Sequence, residues 1–287
     1  MENFAGSALT GTCFIVIAIW HTIRIFQRYY VCREAGAKFS SSLTFPCPCL
    51  GNRMKYRPVE AYVKMLIGTI GFSVEMIRGF QNGHLANVGS VQNATMFLLF
   101  GVTGVMDLMV SMKTSIPEHV DYFSNVLAFG MYGFLVKCSP QRLPPLDGLL
   151  HTLLAYAIFS TVLTLLAEMR YRHNVWSSLA RSWTVLCQGT WLWQMGFVQH
   201  HPFSSVSSWD HYSHDHMAVV VMIFTWHVGF NFVLVLTIGS LVALRYRHYP
   251  SKTSYRVKDK LEDNMVSNEN SDSESALNIS HLGHSSV

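Results

Sequence analysis

Seven stretches of the chain are almost uninterrupted apolar sequence: roughly Leu9–Tyr29, Pro58–Phe80, Ala94–Met112, Val120–Val136, Leu146–Glu168, Val175–Val198 and His216–Leu244. Each is close to the ~20 residues that carry a helix across a hydrocarbon core about 30 Å thick, where backbone groups find no water and must bond within their own segment. The apolar positions do not alternate with a period of two, which argues against the strands of a membrane barrel. The pattern predicts an all-α membrane protein, a bundle of about seven transmembrane helices over residues 1–248. Beyond residue 248 the apolar runs stop. Residues 249–287 are rich in Ser, Asn, Asp, Glu and Lys and hold too little apolar surface to offset chain ordering, which predicts a disordered tail.

Composition agrees with the pattern. Half of the residues are apolar and only 13% are charged, against roughly a quarter charged in soluble domains. The first apolar stretch has no basic segment before it and is too long for a signal peptide, so a retained helix is expected there. The cysteines at 13, 32, 47, 49, 138 and 187 are scattered without the spacing of a metal knuckle or a redox pair. They read as reduced thiols, with S-acylation of Cys32, Cys47 and Cys49 as the alternative.

Charge sets a direction. Of the 21 Lys and Arg residues, sixteen fall at the end of or after the first, third, fifth and seventh stretches, including Arg24, Arg28, Arg33, Lys38, Lys113, Arg170, Arg172, Arg245 and Arg247. The opposite connections carry only Lys137 and Arg142. The positive-inside rule then puts the C-terminus in the cytosol and the N-terminus outside it, and makes anionic membrane lipid a sufficient partner for the basic flanks, without nucleic acid. At the end of the tail, Ser285, Ser286 and Val287 match the C-terminal pattern that adds as a strand to a PDZ groove. Neither the plasma membrane nor the Golgi and endosomal system is singled out.

Ionisable groups inside apolar stretches are costly, so each must pair, snorkel or face the bundle interior. Lys64 stands one helical turn from Glu60, and the expected arrangement is a snorkelling pair between them. Glu75 and Arg78 are three apart and read either as a pair or as a substrate-facing group. Asp107 has no basic residue within four positions on its own helix, so a donor from another helix is expected, with His21, Gln188 or His227 as candidates by depth. The expected polar interior comprises Glu75, His84, Asp107, His151, Glu168, Gln188, Gln194 and His227.

Histidine is also dense on the side opposite the basic loops, at His84, His200, His201, His211, His214 and His216, with His151 a turn into the fifth stretch. Two readings follow. One is a polar membrane surface. The other is a metal site for zinc or iron built from His151, His214, His227 and Asp107, the nitrogen and oxygen donors those ions take. His214 and His227 are thirteen residues apart, about 20 Å along a single helix, so they could share an ion only if the intervening chain folds inward.

From Gly6-Ser-Ala-Leu-Thr-Gly-Thr12 to the end of the last stretch, the chain resembles the transmembrane protein 45 family, seven-span animal proteins of undefined biochemical function. The resemblance is carried by Thr95-Met-Phe-Leu-Leu-Phe-Gly-Val-Thr-Gly-Val-Met-Asp107, by Gln188-Gly-Thr-Trp-Leu-Trp-Gln-Met-Gly-Phe197, by Trp209-Asp210 with His214, and by Trp226-His227. It implies roles for Glu75, His84, Asp107, His151, Glu168, Gln188, Gln194, His214 and His227, and supplies no reaction. Where family members tend to carry Trp-His-His before the third stretch, this chain has Val91-Gln92-Asn93, so two candidate metal ligands are missing.

No nucleophile elbow, Walker loop, dinucleotide fingerprint or zincin helix appears. The expected function is that of a non-enzymatic multi-pass membrane component. Its rivals are a seven-span metal hydrolase and a proton or metal-ion transporter, the latter lacking an evident inverted repeat. A seven-span receptor is disfavoured, because the third stretch ends Met109-Val-Ser-Met-Lys113 rather than on an acidic-Arg-aromatic switch.

Overall fold

The computed structural model describes residues 4–45, 58–81, 84–112, 114–138, 144–200 and 209–248. Among them lie seven helices: α1 (Phe4–Glu34), α2 (Val59–Gly79), α3 (Val88–Ser111), α4 (Val120–Cys138), α5 (Pro145–Arg170), α6 (Val175–His200) and α7 (His214–His248). A two-residue strand pair, β1 (Phe80–Gln81) with β2 (His84–Leu85), closes the link between α2 and α3. The helix starts are written locally. Asn87 caps α3 by accepting from the Ser90 amide, and α5 opens on Pro145, where the missing N–H would have had no helical partner. Several apolar stretches extend past their expected limits. α1 begins at Phe4 rather than Leu9 and α3 at Val88 rather than Ala94, because small and polar residues prolong a helix once its apolar turns have nucleated it.

Burial follows the helical period. In α1 the buried positions are Ser7, Ala8, Gly11, Ala18, His21, Thr22, Ile25 and Phe26, one stripe along the helix. That stripe lies on α6, which also packs against α5 and α7, while α4 packs on α5, α3 on α4 and α2 on α3. Small residues let backbones meet. A methyl group on Gly11 would stand 2.7 Å from the Gly189 carbonyl oxygen, and one on Gly68 would stand 2.6 Å from the Gly101 Cα, so the α1–α6 and α2–α3 crossings both require glycine.

The helices run alternately up and down. Phe4 at the start of α1 meets Trp193 and Phe197 near the end of α6, whereas Tyr30 at the other end of α1 meets Tyr246 near the end of α7. The start of α1 and the end of α7 therefore lie at opposite ends of the bundle.

Four of the helices are long and apolar enough to cross a membrane: Phe4–Glu34, Val88–Ser111, Pro145–Arg170 and His214–Arg247. The other three carry polar groups within their length: Glu60, Lys64, Glu75 and Arg78 in α2; Asp121, Asn125 and Lys137 in α4; and Arg181 with several Ser, Thr and Gln residues in α6.

After α1 the chain turns back under the bundle. Phe39, Leu43 and Phe45 are buried, and the Ser41 amide donates to the Arg172 carbonyl at 2.8 Å, which fixes this segment to the α5–α6 turn. That fold-back builds the polar site described next.

Candidate functional site

A line of buried and half-buried charged groups runs through the end of the bundle where α1, α3 and α5 finish. Its centre is Glu168, in the last turn of α5 and fully buried. One carboxylate oxygen accepts from Arg181 Nε at 2.6 Å; the other accepts from the Ser178 hydroxyl at 2.8 Å and the Tyr122 hydroxyl at 3.2 Å. The sequence permits this because the α5–α6 turn is only Tyr171–Asn174, so residues on either side of it fold back onto one another. The Asn174 side chain holds the start of α6 by accepting from the Trp176 amide. The Tyr122 hydroxyl lies 3.0 Å from that of Ser41 in the fold-back segment.

Arg181 extends the line. One guanidinium nitrogen donates to His21 Nδ1 at 3.0 Å and another to the Ser42 carbonyl at 3.3 Å. Arginine has donors only, so His21 Nδ1 must accept, which leaves the ring proton on Nε2. That nitrogen lies 3.4 Å from Glu60 Oε2. Glu60 also accepts from the Trp20 indole and, at 3.1 Å, from the Phe45 amide. One turn further along α2, Lys64 donates to Asp107 on α3 at 2.6 Å. Six of the seven helices, all but α7, contribute to this line, together with residues 41–45.

Several sequence expectations change in this light. Lys64 is not spent on Glu60. It pairs with Asp107, while Glu60 turns toward α1, because i,i+4 proximity on one helix yields to a fully buried carboxylate on its neighbour. Asp107 is buried, and its partner is none of His21, Gln188 or His227; its second oxygen, Oδ1, has no hydrogen-bond partner among the described residues. Gln188 instead donates to Thr161, which donates to Thr184. Glu75 pairs with Arg78 at 3.2 Å. His84 is exposed in β2, outside the bundle interior, because the chain has already left α2 there. Gln194 is half-buried on α6.

The four candidate metal ligands are not gathered. His151 Nδ1 bonds its own helix at the Asp147 carbonyl, His214 is exposed at the start of α7, His227 packs its ring against Trp191, and Asp107 sits with Lys64. α7 is one continuous helix from His214 through His227, so no inward loop shortens the distance between them. Among the described residues no group of three or more His, Cys, Asp or Glu side chains could hold a metal ion. His201 lies outside the described residues.

The opposite end of the bundle is built differently. Asp147 in the first turn of α5 accepts from Gln199 at 3.2 Å and lies 3.1 Å from His211 Nδ1. The Leu146 amide donates to the His211 carbonyl, so this turn sits over the start of α5. The Arg181, Tyr122 and Ser178 contacts of Glu168 were not foreseen. The signal available was Arg181 itself, an arginine within an apolar stretch and a short turn away from Glu168.

A model of a family of unknown function, DUF716, matches residues 118–239, from just before α4 into α7. The matched region includes Tyr122, Glu168, Ser178 and Arg181, and excludes His21, Glu60, Lys64 and Asp107. Transmembrane epididymal protein 1 of Homo sapiens is 28% identical over 159 residues, covering 54% of this chain and 57% of that protein. Its Rattus norvegicus namesake is 26% identical over 161 residues, covering 55% and 52%. The chain thus spans about half the length of the curated relatives it matches. Relatives named as transmembrane, together with several long apolar helices, fit a multi-pass membrane protein.

Proposed function

We propose that this chain is a seven-span membrane protein of the transmembrane protein 45 type, with its N-terminus outside the cytosol and its C-terminus inside, acting as a membrane component rather than a catalyst. The observation that carries the reading is the buried line from Glu168 to Asp107. It supplies partners for Glu60 and Lys64 of α2 and for Arg181 of α6, charged groups inside helices that do not qualify as spans on composition alone, and it lies at the end of the bundle that also holds Arg28, Arg170 and Arg172. Buried charges that are paired can be accommodated at membrane depth, whereas isolated ones cannot. The PDZ-type ending at Ser285, Ser286 and Val287, outside the described residues, would face cytosolic partners in this topology.

The test is a pair of tags on the full chain. A glycosylation sequon appended before Met1 is expected to be modified, and a C-terminal epitope is expected to be cleaved by protease added to the cytosolic face of intact vesicles. Both ends reporting from the same side would overturn the seven-span count.

A proton-coupled transporter is the second reading. It is favoured by Asp107 Oδ1, a buried carboxylate oxygen without a hydrogen-bond partner among the described residues, at the end of a line that includes His21. Proteoliposomes holding the protein would then acidify in response to an imposed gradient, and Asp107→Asn would abolish the flux; flux equal to that of empty vesicles removes this reading.

A further inference from the structure

Where α5 turns into α6, a cleft of about 510 Å³ opens, lined by Tyr29, Phe39, Arg170, Arg172, His173 and Trp176, among others. Its volume is within the range of small-ligand sites, roughly 300–1,000 Å³. Its walls carry positive charge, and no carboxylate lines it among the described residues. None of the ion pairs among the described residues includes Arg170 or Arg172, and the nearest acid in sequence, Glu168, is taken by Arg181. Arg172 is held by the Tyr122 ring, 5.3 Å from its guanidinium carbon, and by His119 Nδ1 at 3.1 Å, while its Nε is buried without a hydrogen-bond partner among the described residues. Arg28 is near enough to Arg172 to repel it. Asn174 and Val175 also line the cleft, so the first turn of α6, which contains no acidic side chain, opens onto it. A helix start of this kind attracts an anion.

Two further features say what kind of anion. Tyr171 and Trp176 are 60% and 63% exposed, the placement of aromatic rings at headgroup depth. Below them, Phe159, Leu163 and Leu166 on α5 are exposed, and at spacings of four and three they form one stripe that ends on Arg170 four residues later. An apolar track leading into a cationic cleft fits a molecule with an acyl tail and a phosphate head.

We propose that this cleft binds the phosphate headgroup of an anionic phospholipid, with Arg170 and Arg172 bonding the phosphate oxygens and an acyl chain lying along Phe159, Leu163 and Leu166. Guanidinium matches phosphate in a two-bond geometry that a diffuse basic surface does not provide. The assignment rests on the membrane reading above. It is separable from it, because a chain with the proposed topology and no lipid preference would overturn only the site.

The experiment is native mass spectrometry of the full chain released from nanodiscs containing phosphatidylcholine with either phosphatidylinositol 4-phosphate or phosphatidylserine. One retained anionic lipid per chain is expected, with phosphatidylcholine lost. Arg170→Glu should reduce retention about tenfold, the equivalent of one charge-assisted contact, and Arg170→Gln severalfold if the glutamate variant does not fold. Arg245→Glu, an exposed arginine at the same end of α7, should change retention less than twofold. Equal losses for Arg170→Glu and Arg245→Glu would show only diffuse attraction and overturn the site. So would retention of phosphatidylcholine, or binding of soluble inositol phosphate as tight as that of the lipid.

Discussion

α6 and α7 follow one another in the chain and both come from long apolar stretches, yet they do opposite work. Fifteen of the 26 residues of α6 are buried, among them Arg181, Gln188, Ser178, Ser182 and Thr184. Among the described residues of α7, only Val220, Asn231, Val235, Gly239 and Val242 are buried, while Trp226, Phe230, Val233 and Leu241 are each more than half exposed. The more polar helix is at the centre and the more apolar one at the edge. In lipid there is no water to drive apolar side chains inward, so apolar residues are free to face out, and polar residues gather where partners on other helices can satisfy them.

The comparison breaks most sharply at Arg181. Arg181→Leu leaves Glu168 buried without its counter-charge and should cost about 3–5 kcal/mol, whereas Arg181→Met combined with Glu168→Leu should recover most of that loss. Unfolding of the detergent-solubilised protein by SDS titration measures both. If the single and double variants unfold alike, the pair contributes nothing specific.

Next comes the backbone crossing. Gly189→Leu on α6 places side-chain atoms where Gly11 and Ile15 of α1 already stand, and about 3 kcal/mol of destabilisation is expected. Gly229→Ala on α7 meets nothing within 4 Å and should be neutral or slightly stabilising, since alanine is the better helix former. A matching loss from both substitutions, read in the same titration, would contradict the placement of α7 at the edge.

A smaller effect is expected at the outer pair of the buried line. Lys64→Met removes the only donor that Asp107 has among the described residues, and about 1–2 kcal/mol should be lost because Lys64 is itself partly exposed. Asp107→Asn in the Lys64→Met background should restore part of it by removing the orphaned charge. No restoration would mean that Asp107 takes up a proton once Lys64 is gone.

The smallest effect is predicted on the lipid-facing side. Phe230→Leu and Val233→Leu on α7 should stay within about 0.5 kcal/mol, as surface substitutions do. A loss above 1.5 kcal/mol at either position would reveal a protein partner covering that face.

Much of this arrangement could be read along the chain. Continuous apolar runs separated by charged links specify helices wherever they occur, because a backbone in lipid must bond within its own segment. The polar interior was legible only as a set of residues that needed partners. Asp107 was identified as such a residue, but its donor was sought at the wrong positions, since Lys64 already had a plausible neighbour in Glu60. Tyr122, Ser41 and Ser178 carried no signal at all: hydroxyls are common in membrane helices, and nothing in their spacing points to a carboxylate on another element. The histidines were misleading in the opposite direction, since their number suggested convergence while α7 keeps His214 and His227 far apart.

What the sequence by itself determined is the set of helices, their approximate limits and the charges that demand compensation. These depend on neighbours within a turn or two and on the solvent each segment meets. Which helix became the centre, which cation met which carboxylate, and the folding of residues 37–45 back under the bundle were decided only in three dimensions. A buried charge selects its partner by the distance and alignment available after the helices have packed, and that geometry belongs to the assembled bundle rather than to any stretch of the chain.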